Sequence, residues 1–95
     1  MRYLTLSADY GAPNLRDEDL DNGAVIVSQA LQLKLDAWNR DYEPIVKMTS
    51  NERQAELGRI EGLDATGREL AAEVAASLGR EVKIEYYSEG LGRRL

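Results

Sequence analysis

A chain of 95 residues with 17 acidic against 12 basic side chains, a formal charge of −5, and neither cysteine nor histidine has few chemistries open to it. Disulfides, thiolate nucleophiles, the usual zinc constellations and a Ser-His-Asp triad are all excluded. With 43% apolar and 31% charged residues, the composition is that of one small globular domain, residues 1–95, and not of a disordered segment.

Residues 2–10, RYLTLSADY, alternate with period two: Leu4, Leu6, Ala8 and Tyr10 fall on one face, and Tyr3, Thr5, Ser7 and Asp9 on the other. That pattern predicts a half-buried strand, ended by Gly11 and Pro13. The stretch LRDEDLDNG, residues 15–23, then reads as an acidic loop carrying Asp17, Glu18, Asp19 and Asp21, with Asn22-Gly23 supplying a turn. The apolar run Gly23–Val27 is far too short to span a bilayer, and the N-terminus lacks the charged and apolar regions of a signal peptide. The expected location is the cytoplasm, with no membrane contact.

Ser28 is placed to cap a helix. Behind it Leu31, Leu35, Trp38 and Tyr42 recur at helical spacing, with Ala30, Leu33 and Ala37 widening the stripe. Pro44 predicts an end or a kink at Glu43. Thr49 and Glu52 have capping-box spacing and open a second helix. Its stripe runs Leu57, Ile60, Leu63 or Asp64, Gly67, Leu70 with Ala71, Val74 and Leu78. The pattern predicts one long helix with a weak middle near Gly62, stopped by Gly79. Gly67 lies on the stripe, where a missing side chain would allow close approach of the first helix. Residues 80–88, REVKIEYYS, alternate again, with Val82, Ile84 and Tyr86 inward and Lys83, Glu85 and Tyr87 outward. The tail EGLGRRL has no periodicity. The expected architecture is α+β in the order β-α-α-β, a two-stranded sheet covered on one face by a helical hairpin. Parallel and antiparallel pairing both remain open. Two strands leave two bare edges, which a homodimer or a strand from a partner would cover.

Three readings compete for the acidic stretch. As an EF-hand loop, Asp17, Asp19 and Asp21 match the first three ligand positions, but Asn22 sits where Gly is needed and Ser28 where a bidentate Glu is needed. As a docking surface, Asp17, Glu18, Asp19 and Asp21 would steer a basic partner. As a solvated turn they would do neither. Tyr3 and Tyr87, on the outer faces of the two strands, join the acids as candidate partner contacts. Trp38 sits mid-stripe and reads as core. Asp9 with Glu85 or Glu89 is the nearest approach to a carboxylate pair for acid-base work, and it has no spacing motif. No catalytic residue, cofactor or metal site is expected. Nucleic acid is a poor partner, because no basic patch is present.

The segments YLTLSADYG, LDAWNRDYE and KIEYYSEGL together resemble small bacterial cytosolic proteins with an ADYG opening, a central helical Trp and a strand ending in tyrosines. Some acidic proteins of this size are immunity partners of bacterial toxins. The resemblance implies a small acidic protein-binding module, immunity- or antitoxin-like, that blocks a basic protein partner such as a toxin. Leu15-Arg16-Asp17 departs from the Leu-aromatic-Asp expected before the loop. The alternatives are a homodimeric structural module without enzymatic activity and a nucleic-acid mimic.

Overall fold

The computed structural model describes residues 2–18, 25–79 and 81–95. In chain order these form β1 (Arg2–Ser7), β2 (Asn14–Asp17), α1 (Gln29–Val46), α2 (Ser50–Gln54), α3 (Leu57–Leu78), β3 (Val82–Ser88) and β4 (Arg93–Arg94). The strands make a mixed four-stranded sheet ordered β2-β1-β3-β4. β1 and β3 lie parallel at its centre, with Leu4 opposite Ile84 and Leu6 opposite Tyr86. β2 and β4 pair antiparallel on the flanks.

The two-stranded sheet under a helical hairpin is therefore corrected: among the described residues the sheet has four strands, and three helices connect β2 to β3. The extra strands escape a periodicity reading because each is short and is defined by the neighbouring strand it pairs with, not by a pattern of its own. Residues 14–17 (Asn-Leu-Arg-Asp) turn Leu15 and Asp17 inward, opposite Leu6 and Leu4. The two arginines of β4 pair with Tyr87 and Ser88 across a turn. The tail is thus part of the sheet, and a bare two-stranded sheet no longer argues for a second copy.

One face of the sheet is covered by α1 and α3. Leu4, Leu6 and Tyr86 from the strands meet Leu31, Leu35, Trp38, Tyr42 and Ile45 of α1, and Ile60, Leu70 and Val74 of α3, in a single buried cluster. The α1 stripe follows the expected spacing, and the Ser28 hydroxyl caps the helix by accepting from Leu31 N at 3.2 Å. The helix nevertheless runs past Pro44 to Val46. Arg53 takes up the carbonyls left at that end: its guanidinium donates to Ile45 O and Val46 O, both at 3.1 Å, and to Glu89 O at 2.9 Å. One buried-side arginine thereby ties the end of α1 to the turn after β3.

The capping box at Thr49 and Glu52 forms, with Thr49 N to Glu52 Oε1 at 3.0 Å and Glu52 N to Thr49 Oγ1 at 3.3 Å. The helix behind it breaks at Ala55-Glu56 and not near Gly62. There Ala55 N and Glu56 N bond three residues back, to Glu52 O and Arg53 O, and α3 restarts at Leu57. Gly67 is a point of close packing: a Cβ there would stand 2.8 Å from the Trp38 ring and closer still to Tyr86. The missing side chain admits two aromatic rings, which itself brings α1, α3 and β3 together.

Candidate partner-binding surface

Alternation along the strands separates a packed inner face from an outer one. Outward on the two central strands stand Tyr3 and Thr5, Lys83, Glu85 and Tyr87. Tyr3 is 46% exposed and Tyr87 half-buried. Neighbouring polar groups are tied across the strands: Thr5 Oγ1 donates to Glu18 Oε1 at 2.6 Å, Glu18 N donates to Tyr3 O at 3.0 Å, and Arg94 Nε lies 3.3 Å from Glu85 Oε2. Tyr3, Thr5 and Glu18 thus form one locally ordered, solvent-facing group, continuous in sequence with the acidic stretch.

The two described residues of the acidic stretch, Asp17 and Glu18, lie on opposite faces of the sheet. Asp17 is turned to the inner side, 3% exposed, and its carboxylate accepts from Arg2 Nε at 2.9 Å. Its register opposite Leu4 explains this, since partners across an antiparallel pair share a face. Glu18 is exposed on the outer face. Asp19 and Asp21 lie outside the described residues. The carboxylates considered for acid-base work are not brought together: Asp9 Oδ1 accepts from Tyr10 N at 2.7 Å, Glu85 faces Arg94, and Glu89 lies 3.8 Å from Arg53.

Sequence reasoning missed a buried polar cluster. Asp64, 3% exposed on α3, accepts from Tyr86 Oη at 2.6 Å and Tyr42 Oη at 2.8 Å on one oxygen, and from Ser88 Oγ at 2.6 Å on the other. Their protons point at the carboxylate, so the same hydroxyl oxygens accept from the next turn: Gly90 N donates to Tyr42 Oη at 2.8 Å, and Leu91 N to Ser88 Oγ at 3.0 Å. Burial, with the bond to Asp64 adding to it, pushes the Tyr42 hydroxyl pKa up to about 12, against the contacts with Ser88 and Gly90 that lower it. Burial, then the hydrogen bond to Asp64, also pushes the Tyr86 hydroxyl well above the usual tyrosine range. Neither tyrosine ionises near neutral pH, and a carboxylate held by three donors is a fastening, not a proton shuttle. The signal was present in the sequence: Asp64 falls on the apolar stripe, and Tyr86 and Ser88 share inward parity. A second such fastening holds the loop after β1, where Asn39, 1% exposed, accepts from Asp9 N at 3.0 Å and donates to Asp9 O at 2.9 Å.

No described helix is long and apolar enough to cross a membrane. The profile of the family described as Serratia CdiI immunity protein-like matches residues 2–89. That match takes in every element from β1 to β3, and the chain belongs to this family. No curated protein and no solved structure matches the chain at a significant level.

Proposed function

From its place in the Serratia CdiI immunity protein-like family, we propose that this chain is an immunity protein that neutralises a bacterial toxin in the cytoplasm by binding it. Family membership over residues 2–89 is the observation that carries the reading. The polar groups inside support a binding role, since Asp64, Asn39 and Asp17 are each spent on holding the fold. Among the described residues no carboxylate pair is left in a cleft for acid-base work, and on this reading the chain acts as a stoichiometric blocker with no enzymatic step.

The contact we assign is the outer sheet face at Tyr3, Glu18 and Tyr87, and we add to it the acids Asp19 and Asp21, which follow Glu18 in the sequence and lie outside the described residues. It suits a toxin with a basic surface. Tyr3 and Tyr87 offer aromatic anchors and the exposed Glu18 a carboxylate for long-range steering, beside Lys83 and Arg94 on the same face. Asp17 contributes to this surface only by fixing the strand that presents Glu18.

The test uses a candidate toxin domain sought among the reading frames that neighbour the chain's gene. Co-expression should restore growth to cells making that toxin. Replacing Glu18, Asp19 and Asp21 by Gln, Asn and Asn should slow association about tenfold or more at low salt and flatten its salt dependence, with little effect on melting. Unrescued growth would remove the immunity reading. Rescue with an unchanged association rate would move the contact elsewhere.

A further inference from the structure

At the β4 edge, on the helical side of the sheet, α3 overhangs the turn after β3. The groove between them, about 440 Å³, is lined by Leu57, Glu61, Ala65 and Arg68 of α3 and by Leu91, Arg93 and Leu95 of the tail, with Asp64 at its floor. Leu57, Leu91 and Leu95 are 45%, 37% and 44% exposed, an apolar rim that the fold itself does not cover. Among the described residues, the Arg68 and Arg93 side chains make no ion pair and no hydrogen bond. Asp64 makes no ion pair with either, its oxygens accepting from Tyr42, Tyr86 and Ser88. Glu61 is the one carboxylate of the lining left facing solvent, against two guanidinium groups. Beside the exposed leucines the groove thus presents two guanidinium groups that no ion pair occupies.

We propose that this groove is a second contact with the toxin, receiving a segment that carries apolar side chains and at least one carboxylate. The apolar side chains would seat on Leu57, Leu91 and Leu95. The carboxylate would bridge Arg68 and Arg93, for which a planar acceptor is the natural partner. The groove is built before the partner arrives. The hydroxyls of Tyr42 and Ser88, oriented by Asp64, hold Gly90 and Leu91 by their amides, so the wall carrying Leu91, Arg93 and Leu95 is positioned from the core. Gly90 also packs where a Cβ would come within 2.9 Å of Tyr42 Oη, which keeps the turn against the helices. Preorganisation of this kind lowers the ordering cost of association. The inference rests on the immunity reading and adds a surface on the opposite side of the sheet from Tyr3.

The test measures the affinity of the candidate toxin domain for four full-length chains by titration calorimetry, with dissociation followed by surface-immobilised binding. These are the wild type, Arg68→Glu/Arg93→Glu, Leu57→Ala/Leu95→Ala, and a control carrying the same charge change on α1 and at its C-cap, Arg40→Glu/Lys47→Glu. The groove assignment predicts that charge reversal at Arg68 and Arg93 weakens binding at least about 30-fold, chiefly through faster dissociation, while the control changes it less than about threefold. The paired leucine truncation should cost about tenfold or more. It also serves if the charge-reversed chain does not fold. Both groove variants within about threefold of the wild type would overturn the inference while leaving the immunity reading standing. No binding by the wild type would remove both.

Discussion

Asp64 shows how a single side chain changes meaning between sequence and structure. On the α3 stripe it occupies a core position, and only its three hydroxyl partners make burial of a carboxylate tolerable. The tyrosines carry a measurable consequence. Tyr42 is neutral up to about 12 in the folded chain, whereas an unfolded tyrosine ionises near its ordinary value of 10.0. The folded state therefore holds its proton more tightly. The stabilisation is complete below pH 10 and is lost as pH rises from 10 towards 12, at up to about 1.4 kcal/mol per pH unit for each such group. Tyr86, shifted in the same direction, adds to the loss. Urea unfolding at pH 8, 10 and 11 should show falling stability in the wild type and a shallower fall in Tyr42→Phe. That variant should also start about 1–3 kcal/mol lower at neutral pH, because Gly90 N and Asp64 each lose a partner. Parallel pH profiles for the two proteins would refute this account of the cluster.

Element by element, long segments were legible and short ones were not. The alternation of β1 and β3, the Ser28 cap, the α1 stripe with Trp38 at its centre and the Thr49 capping box could all be read, because each is a local pattern repeated over several residues. Trp38 is indeed core, 3% exposed, with its indole N–H donating to Leu63 O at 2.9 Å and its ring edge-on to Tyr42. β2 and β4 have four and two residues, too few for a period, and exist through ladders to the strand before them, across a loop or a turn. The break at Ala55-Glu56 carries no Gly or Pro. It coincides with Arg53 reaching back to the end of α1, a tertiary contact that no local pattern announces. The α3 glycines make the same point quantitatively. Gly62 has open space where a Cβ would stand, so Gly62→Ala should stabilise the chain by about 0.5–1 kcal/mol through helix propensity. Gly67→Ala gains the same propensity but drives a methyl group into Tyr86 and Trp38, and should destabilise by about 1–3 kcal/mol. Thermal melts of the two variants should move in opposite directions. A rise for Gly67→Ala would mean that the rings yield and that the close approach is not required.

Across the molecule, the candidate surface was legible only in part. The outward placement of Tyr3 and Tyr87 followed from strand parity. The acidic stretch was read as one unit, yet Asp17 belongs to the inner face because it lies in a strand and not in a loop. The groove at the β4 edge was invisible, since its two walls, α3 and the tail, are joined by a sheet edge the sequence did not disclose. What unites both surfaces is rigidity: Asp64, Asn39, Arg53 and the Asp17–Arg2 pair anchor the loops and edges that frame them. On the proposed reading a blocker built this way would work by occupancy, one chain for each toxin, and not by turnover. The direct test adds the chain stepwise to a fixed amount of the candidate toxin domain and follows the toxin's activity in vitro. The account predicts a linear fall to zero at equal molar amounts, with no further loss on prolonged incubation. Full inactivation by far less than one equivalent, progressing with time, would show catalysis, and undiminished activity at excess chain would show that this protein does not neutralise the toxin by binding it.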